Sequence, residues 1–516
     1  MFSQNPFVPL VIILISSSSC FSCFQKVPLS IKLDQNHGHN PKLSAYSTSF
    51  STINNQEGNF SSTFSSLVEY EKDIYEFAKI DQVGPEETSP QMVNVDDFGA
   101  HGDGNNDDGN FSSNFSSLVE PETDIYEYTK LDKVVVDETS AQMVNVDDFG
   151  AQGDGTDDSE AFKEAWKEAC SSENGAVFVV PKNGTYHLNP ITFSGPCKSD
   201  VTMKIRGTIK ASPHRSDYEK SPRHWVAFER VNNFKVEGGG TINGNGKIWW
   251  QNSCKINKTL PCVGAPTAVT FNRCNNLRVG NLRIKNAQQI HLTFQDCVDV
   301  RASKLKVQAP EKSPNTDGIH ITRTQNIQVM SSVIRTGDDC ISIVSGSKNV
   351  RATDIICGPG HGISIGSLGK GNSEGKVSDV VVNRAKLSRT TNGVRIKTWQ
   401  GGSGYAKNIK FQNIAMHNVT NPIIIDQNYC DQNKPCPEQY SAVQVKNVVY
   451  KNIKGTSASE MAIKFNCSKT FPCQGILLQN INLVAEGDGI ATASCENVRL
   501  ETRGKVSPSC PCQSKD

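Results

Sequence analysis

An Asn or Asp followed by an apolar–x–apolar triplet recurs eight times: NFKV at Asn233, NLRV at Asn276, DVRA at Asp299, NIQV at Asn326, NVRA at Asn349, DVVV at Asp379, NIKF at Asn408 and NVVY at Asn447. The closest spacing is 23 residues, and the wider gaps fit loop insertions. Neighbouring side chains of a strand face opposite sides, so each triplet buries two residues and turns the middle one outward. A second column runs beside the first: TDGIHI, DDCISI, GHGISI, TNGVRI and TNPIII. Short Val/Ile strands returning at this period between Asn and Gly turns predict an all-β solenoid. The expected fold is a single-stranded right-handed parallel β-helix, with apolar residues stacked inward and asparagines in ladders at the turns. A β-sandwich is the competing all-β architecture; regular spacing with weak self-similarity favours the solenoid.

A longer repeat bears on where that domain begins. NFSSTFSSLVEYEKDIYEFAKIDQV starts at Asn59, and NFSSNFSSLVEPETDIYEYTKLDKV starts 51 residues later at Asn110. Both copies reach MVNVDDFGA, but only the second runs on into TDDSEAFKEAWKEAC. That stretch has the pattern of an amphipathic helix, with Asp157 to Ser159 near its start. The expected organisation is a signal peptide over 1–23, an acidic duplicated segment over 24–141 that is disordered or propeptide-like, and a catalytic β-helix over 142–516. A short N-terminal helix caps that domain. The alternative is that both copies fold as tandem units; a copy of about 50 residues is longer than most solenoid coils.

The apolar run Phe7–Ile15 is too short to span a bilayer and reads as the core of a secretory signal. No later run reaches that length, so no membrane association is expected once the signal is removed. The chain has 17 cysteines, which suits local disulfides in an oxidising compartment. The expected pairs are Cys254–Cys262, Cys340–Cys357, Cys430–Cys436 and Cys467–Cys473. Glycosylation sequons at Asn59, Asn110, Asn114, Asn183, Asn257, Asn418 and Asn466 agree with secretion. The formal net charge of zero conceals a division. Residues 1–141 hold 7 Lys+Arg against 21 Asp+Glu, and residues 142–516 hold 46 against 32. A basic secreted domain suits an anionic extracellular partner. Simple solubility is the plainer reading.

Within IRTGDDCISI, Asp338 and Asp339 stand just before an alternating apolar run. In phase with Ile341 and Ile343, Asp339 would point into the core, where an unpaired charge is costly. Aligning the second column puts Asp317, Asp339, His361 and Asn392 in one position, the first three each 22 residues apart. Successive coils lie about 4.8 Å apart. A turn at Asp338 would break the alternation and let both acids reach solvent or a cleft. The expectation is a cluster of three carboxylates capped by a histidine. In NGVRIKT, Val394 and Ile396 point inward, so Arg395 and Lys397 share the outer face one coil beyond His361. Close carboxylates push their pKa values apart, so that one holds a proton, as glycoside hydrolysis requires. Arg and Lys bind carboxylated substrates. Taken singly, a DD pair is usually a turn, a His usually structural and an RIK usually a solvated face. Their coincidence on neighbouring coils favours a site.

At SPNTDGIHI, TGDDCISI, CGPGHGISIGSLGK and GVRIKTWQGG the sequence resembles the polygalacturonases, pectin-cleaving glycoside hydrolases with a parallel β-helix. The resemblance spans roughly residues 142–512; the duplicated N-terminal segment departs from the family layout. It implies hydrolysis of α-1,4-linked galacturonan with inversion, endo action being favoured over exo. It implies Asp338 as general acid, Asp317 and Asp339 as activators of water, and His361 as the residue setting the acid's protonation and orientation. Arg395 and Lys397 would bind substrate carboxylates. Asn315 would support the site, and Tyr429 in DQNYC would contact substrate. The implied partner is the anionic pectin polysaccharide of the cell wall, met by a secreted monomer. Neither a metal nor another cofactor is called for, and nucleic acid is disfavoured. Two other readings stay open. A calcium-dependent pectate lyase would use the acids as metal ligands and eliminate rather than hydrolyse. A wall-binding β-helix would have lost its catalysis.

Overall fold

The computed structural model describes residues 140–432, 436–487 and 489–511. The signal peptide, the acidic segment up to residue 139 and the first repeat copy lie outside the described residues. The described strands form two sheets, one of 17 strands and one of 11, in which coils pair in parallel with those before and after. The first strand, Gln142–Asn145, pairs with Ala176–Val180 in the larger sheet.

The Asn/Asp column makes the corners of the solenoid. All eight residues take φ between 50 and 60°. That left-handed region costs an ordinary L-residue roughly 1–2 kcal/mol, and Asn and Asp enter it most readily after Gly. Stacked corners bond to one another. The Asn276 amide donates to Asn233 (2.8 Å), Asn326 to Asp299 (2.9 Å), Asn349 to Asn326 (3.0 Å) and Asn408 to Asp379 (3.0 Å). A second corner follows five residues on in seven of these coils, at Asn281, Lys304, Ser331, Asp354, Arg384, Asn413 and Asn452, with φ between 48 and 57°.

Between corners, the apolar positions stack down the interior. In the smaller sheet one inward row runs in register through Phe193, Phe228, Phe271, Phe294, Ile321, Ile343, Ile365, Ile396, Ile425 and Phe465. Phe228 and Phe271 stack with ring centres 4.8 Å apart. Each such buried side chain contributes roughly 1.5–3 kcal/mol. At the N-terminal end, helix Ser159–Ser171 buries Phe162 and Trp166 against Phe178 and Phe193. No helix among the described residues is long and apolar enough to cross a membrane.

The four anticipated disulfides are present, and two more close Cys170–Cys197 and Cys495–Cys510. The first ties the helix to the loop after Ile191–Ser194, a pairing across 27 residues that local spacing does not reveal. Cys274 and Cys297 are buried thiols.

Candidate active site

The site lies on the outer face of the smaller sheet. Strands Ile319–Thr322, Ile341–Ile343, Ile363–Leu368 and Asn392–Trp399 pair so that Ile319, Ile341, Ile363 and Val394 stack inward. His320, Ser342, Ser364 and Arg395 therefore form one outward row. Asp317, Asp339, His361 and Asn392 each stand two residues before Ile319, Ile341, Ile363 and Val394 and stack in their turn. Gly318 N–H donates to the Asp339 carbonyl, and the Asn392 amide to the His361 carbonyl.

Residues 336–340 leave the extended conformation, and this frees Asp339 from the inward phase. Its carboxylate turns to the outer row. Ser364 Oγ (2.7 Å) and Arg395 Nη2 (2.8 Å) donate to Oδ1, and Lys397 Nζ (2.9 Å) donates to Oδ2. Asp339 borders the cleft, as one branch of the expectation had it, but it does not reach solvent: it is 1 % exposed, covered by its two cations. Lys397 stands on the outer face as expected and borders the cleft, but it is buried rather than solvated, for the same reason. Two positive partners make burial of this charge tolerable, whereas one charge alone would not be.

Asp338 also lines the cleft. Its side chain is 21 % exposed, and its Oδ1 lies 3.0 Å from His361 Nδ1. Burial pushes the Asp338 pKa up, but the His361 bond and charge, with Lys397 behind them, bring it net below the usual range. Asp317 goes the other way. Burial, then the charges of Asp338 and Asp339, raise it well above an ordinary carboxylate, against the opposing pull of Ser342 and Lys397. Beneath it, the fully buried His291 ring contacts the Asp317 carbonyl through Nδ1 at 2.9 Å.

These groups line a cleft of about 480 Å³. Asn315 and Tyr429 lie along it. Tyr429 packs edge-on against Trp399, and the Lys397 ammonium sits 5.5 Å from the Tyr429 ring centre. Burial lifts the Tyr429 hydroxyl to a pKa of about 12. The sequence reading missed His320, Ser342, Ser364 and the Lys255–Asp431 ion pair (2.8 Å), whose members both border the cleft. The serines were visible as the recurring ISI of the second column. Lys255 and Asp431 are 176 positions apart and gave no local signal. A larger cavity, about 630 Å³, lies among Asn428, Asn466 and Tyr440. Its acids, Glu438 and Glu496, are exposed and carry no comparable network.

Asp338, Asp339 and His361 each offer a ligand atom within 4.8 Å of the others. The set fits a divalent cation poorly. Three donors already hold the Asp339 oxygens, and two of them are cations that repel a metal.

A parallel β-helix with carboxylates and paired cations on its outer sheet belongs to the class of solenoid glycoside hydrolases. The profile of Glycosyl hydrolases family 28 matches residues 170–510, which include every residue of the cleft, and the chain belongs to that family. It is 63% identical over 374 residues to the polygalacturonase QRT2 of Arabidopsis thaliana, covering 72% of this chain and 85% of the relative. A polygalacturonase of Persea americana is 62% identical over 386 residues (74% and 83%). Polygalacturonase-2 of Solanum lycopersicum is 61% identical over 376 residues (73% and 82%). Among solved structures, the endo-xylogalacturonan hydrolase from Aspergillus tubingensis superposes with a TM-score of 0.62 at 23% identity, covering 72% of this chain and 99% of the other. A hyperthermoactive exopolygalacturonase from Thermotoga maritima gives 0.59 at 24% identity (70% and 90%). These two likenesses establish the fold, a right-handed parallel β-helix.

Proposed function

We infer that the protein is a secreted polygalacturonase that hydrolyses the α-1,4 bonds of de-esterified galacturonan in the cell wall, with inversion and by endo action. The observation that carries this reading is one cleft lined by Asp317, Asp338 and Asp339 together with Arg395 and Lys397, the two cations being bonded to Asp339. The named relatives, all polygalacturonases, support it.

Asp338 is the general acid. In the free protein His361 holds it ionised; an anionic substrate brings negative charge and displaces water, and both favour its protonated form. Asp317 is the base for the attacking water and acts in its ionised form; burial and the charges of Asp338 and Asp339 oppose that form, and the Ser342 hydrogen bond and the Lys397 charge favour it. Asp339 contributes charge and position rather than proton transfer. Arg395 and Lys397 keep N–H groups for a substrate carboxylate beyond those given to Asp339. Inverting glycosidases usually hold their carboxyls about 6.5–9.5 Å apart, and coils about 4.8 Å apart bring these closer, so stereochemistry is read from the product and not from spacing.

The test uses the purified secreted protein and de-esterified polygalacturonate. Reducing ends, ultraviolet absorbance and viscosity are followed together, and proton NMR identifies the first anomer released. New reducing ends without absorbance, a rapid fall in viscosity and an inverted first product are expected. The Asp338→Asn variant should fold with its disulfides intact and lose at least about a hundredfold in kcat. Near-normal turnover in that variant removes Asp338 from the acid role. Absorbance would mean a lyase, and binding without product a wall-binding protein.

A further inference from the structure

The outward row of the catalytic sheet contains the same arrangement twice. Ser364 Oγ donates to Asp339, 25 residues before it, and receives a hydrogen bond from Arg395 Nε at 3.0 Å. Ser342 Oγ donates to Asp317 Oδ2 at 2.8 Å, also 25 residues before it, and its other partner is His320 Nδ1 at 2.7 Å. Each serine has one proton to give. Arg395 never accepts a hydrogen bond, so Ser364 is fixed as a donor to Asp339. An imidazole nitrogen donates or accepts according to tautomer, so the second arrangement depends on where the His320 proton sits.

We propose that His320 and Ser342 are positioning residues for the base: His320 carries its proton on Nδ1, orients the Ser342 hydroxyl onto Asp317 Oδ2, and so leaves Oδ1 of Asp317 for the attacking water. The proposal rests on the reading of Asp317 as base. The chain runs His320 Nδ1–H to Ser342 Oγ, then Ser342 O–H to Asp317 Oδ2, and each atom uses only the protons it owns. Burial keeps the His320 ring neutral, its pKa lowered to about 4. The chain has work to do because burial, then the charges of Asp338 and Asp339, press a proton onto Asp317, with Ser342 and Lys397 opposing them; the His291 ring meets Asp317 at its main-chain carbonyl. Neither His320 nor Ser342 touches the scissile bond in this scheme.

Two variants and one spectrum test it. Ser342→Ala removes the donor to Oδ2. We expect kcat on polygalacturonate to fall about tenfold, as for a lost hydrogen bond to a charged group, with KM little changed. The acidic limb of the pH–rate profile should move to higher pH, because an Asp317 without its donor holds its proton more tightly. His320→Asn keeps an N–H near the Nδ1 position and should restore the wild-type profile, whereas His320→Leu should shift it as Ser342→Ala does. Independently of turnover, ¹⁵N NMR of ring-labelled full-length protein should show His320 as the Nδ1–H tautomer, lost in Ser342→Ala. A wild-type Nε2–H tautomer, or an acidic limb that stays in place in Ser342→Ala, overturns the proposal. Absence of hydrolysis by the wild type refutes the assigned reaction instead, and the tautomer then still decides whether the chain is ordered as described.

Discussion

At the scale of single residues, Lys397 does two jobs that separate experimentally. It borders the cleft, and its ammonium also neutralises an Asp339 that is 1 % exposed. If it only bound substrate, Lys397→Met would raise KM and leave the fold alone. The geometry predicts in addition a loss of about 3 kcal/mol in stability, the usual cost of breaking a buried ion pair from one side, partly relieved by Arg395. Urea unfolding of wild type and variant at one pH measures it. His291 sets a pH dependence. Burial lowers its pKa from 6.5 to about 4, so the folded state disfavours the charged ring. Stability is therefore complete above pH 6.5 and falls as the pH drops toward 4, by on the order of 3 kcal/mol for this residue. His320 is lowered in the same direction and adds to the loss. Thermal melts between pH 7 and 4 should show a smaller decline in His291→Gln. The clustering of the candidate site was legible because a period of 22 residues stacks Asp317, Asp339 and His361 whatever the detail of the turn. Which of them is covered was not legible, because it depends on two side chains of one later strand, 56 and 58 residues beyond Asp339.

At the scale of the structural element, the first corner was legible and the second was not. The first is nearly always Asn or Asp, whose side chains both tolerate positive φ and bond along the stack. The second accepts Lys304, Ser331 and Arg384 as well, so no residue type marks it. There the surrounding ladder imposes the conformation on whatever residue occupies it, a tertiary effect absent from local propensity. The distinction predicts how corners fail. Asn326 has φ 56°, donates to Asp299 and accepts from Asn349. Asn326→Gly keeps the backbone conformation and loses only the ladder bonds, about 1 kcal/mol. Asn326→Ala loses the bonds and adds the left-handed penalty, for a total of about 2–3 kcal/mol. Equal losses on denaturation would mean that the ladder, and not the backbone conformation, is what selects asparagine.

At the scale of the whole molecule, the sequence divides by charge where the described fold begins, and that division bears on the spare repeat. Strand Gln142–Asn145 already belongs to the larger sheet, and only the second copy leads into helix Ser159–Ser171. Every residue of the cleft follows position 254. Deleting residues 59–109 should therefore leave a secreted, folded enzyme with an unchanged kcat. The deleted segment holds 12 Asp+Glu against 2 Lys+Arg, so its removal takes a neutral chain to a net charge of +10. A polyanion approaches a basic molecule faster and binds it more tightly, and salt screens that attraction within about 10 Å at 0.1 M. The variant should show a lower KM for polygalacturonate at low salt and a steeper rise in KM with ionic strength, the two enzymes converging near 1 M salt. Steady-state kinetics across a salt series, with circular dichroism as the check on folding, decides it. Parallel salt curves would mean that the first copy does not act on the substrate's approach through its charge, and a variant that is not secreted would make that copy part of the fold.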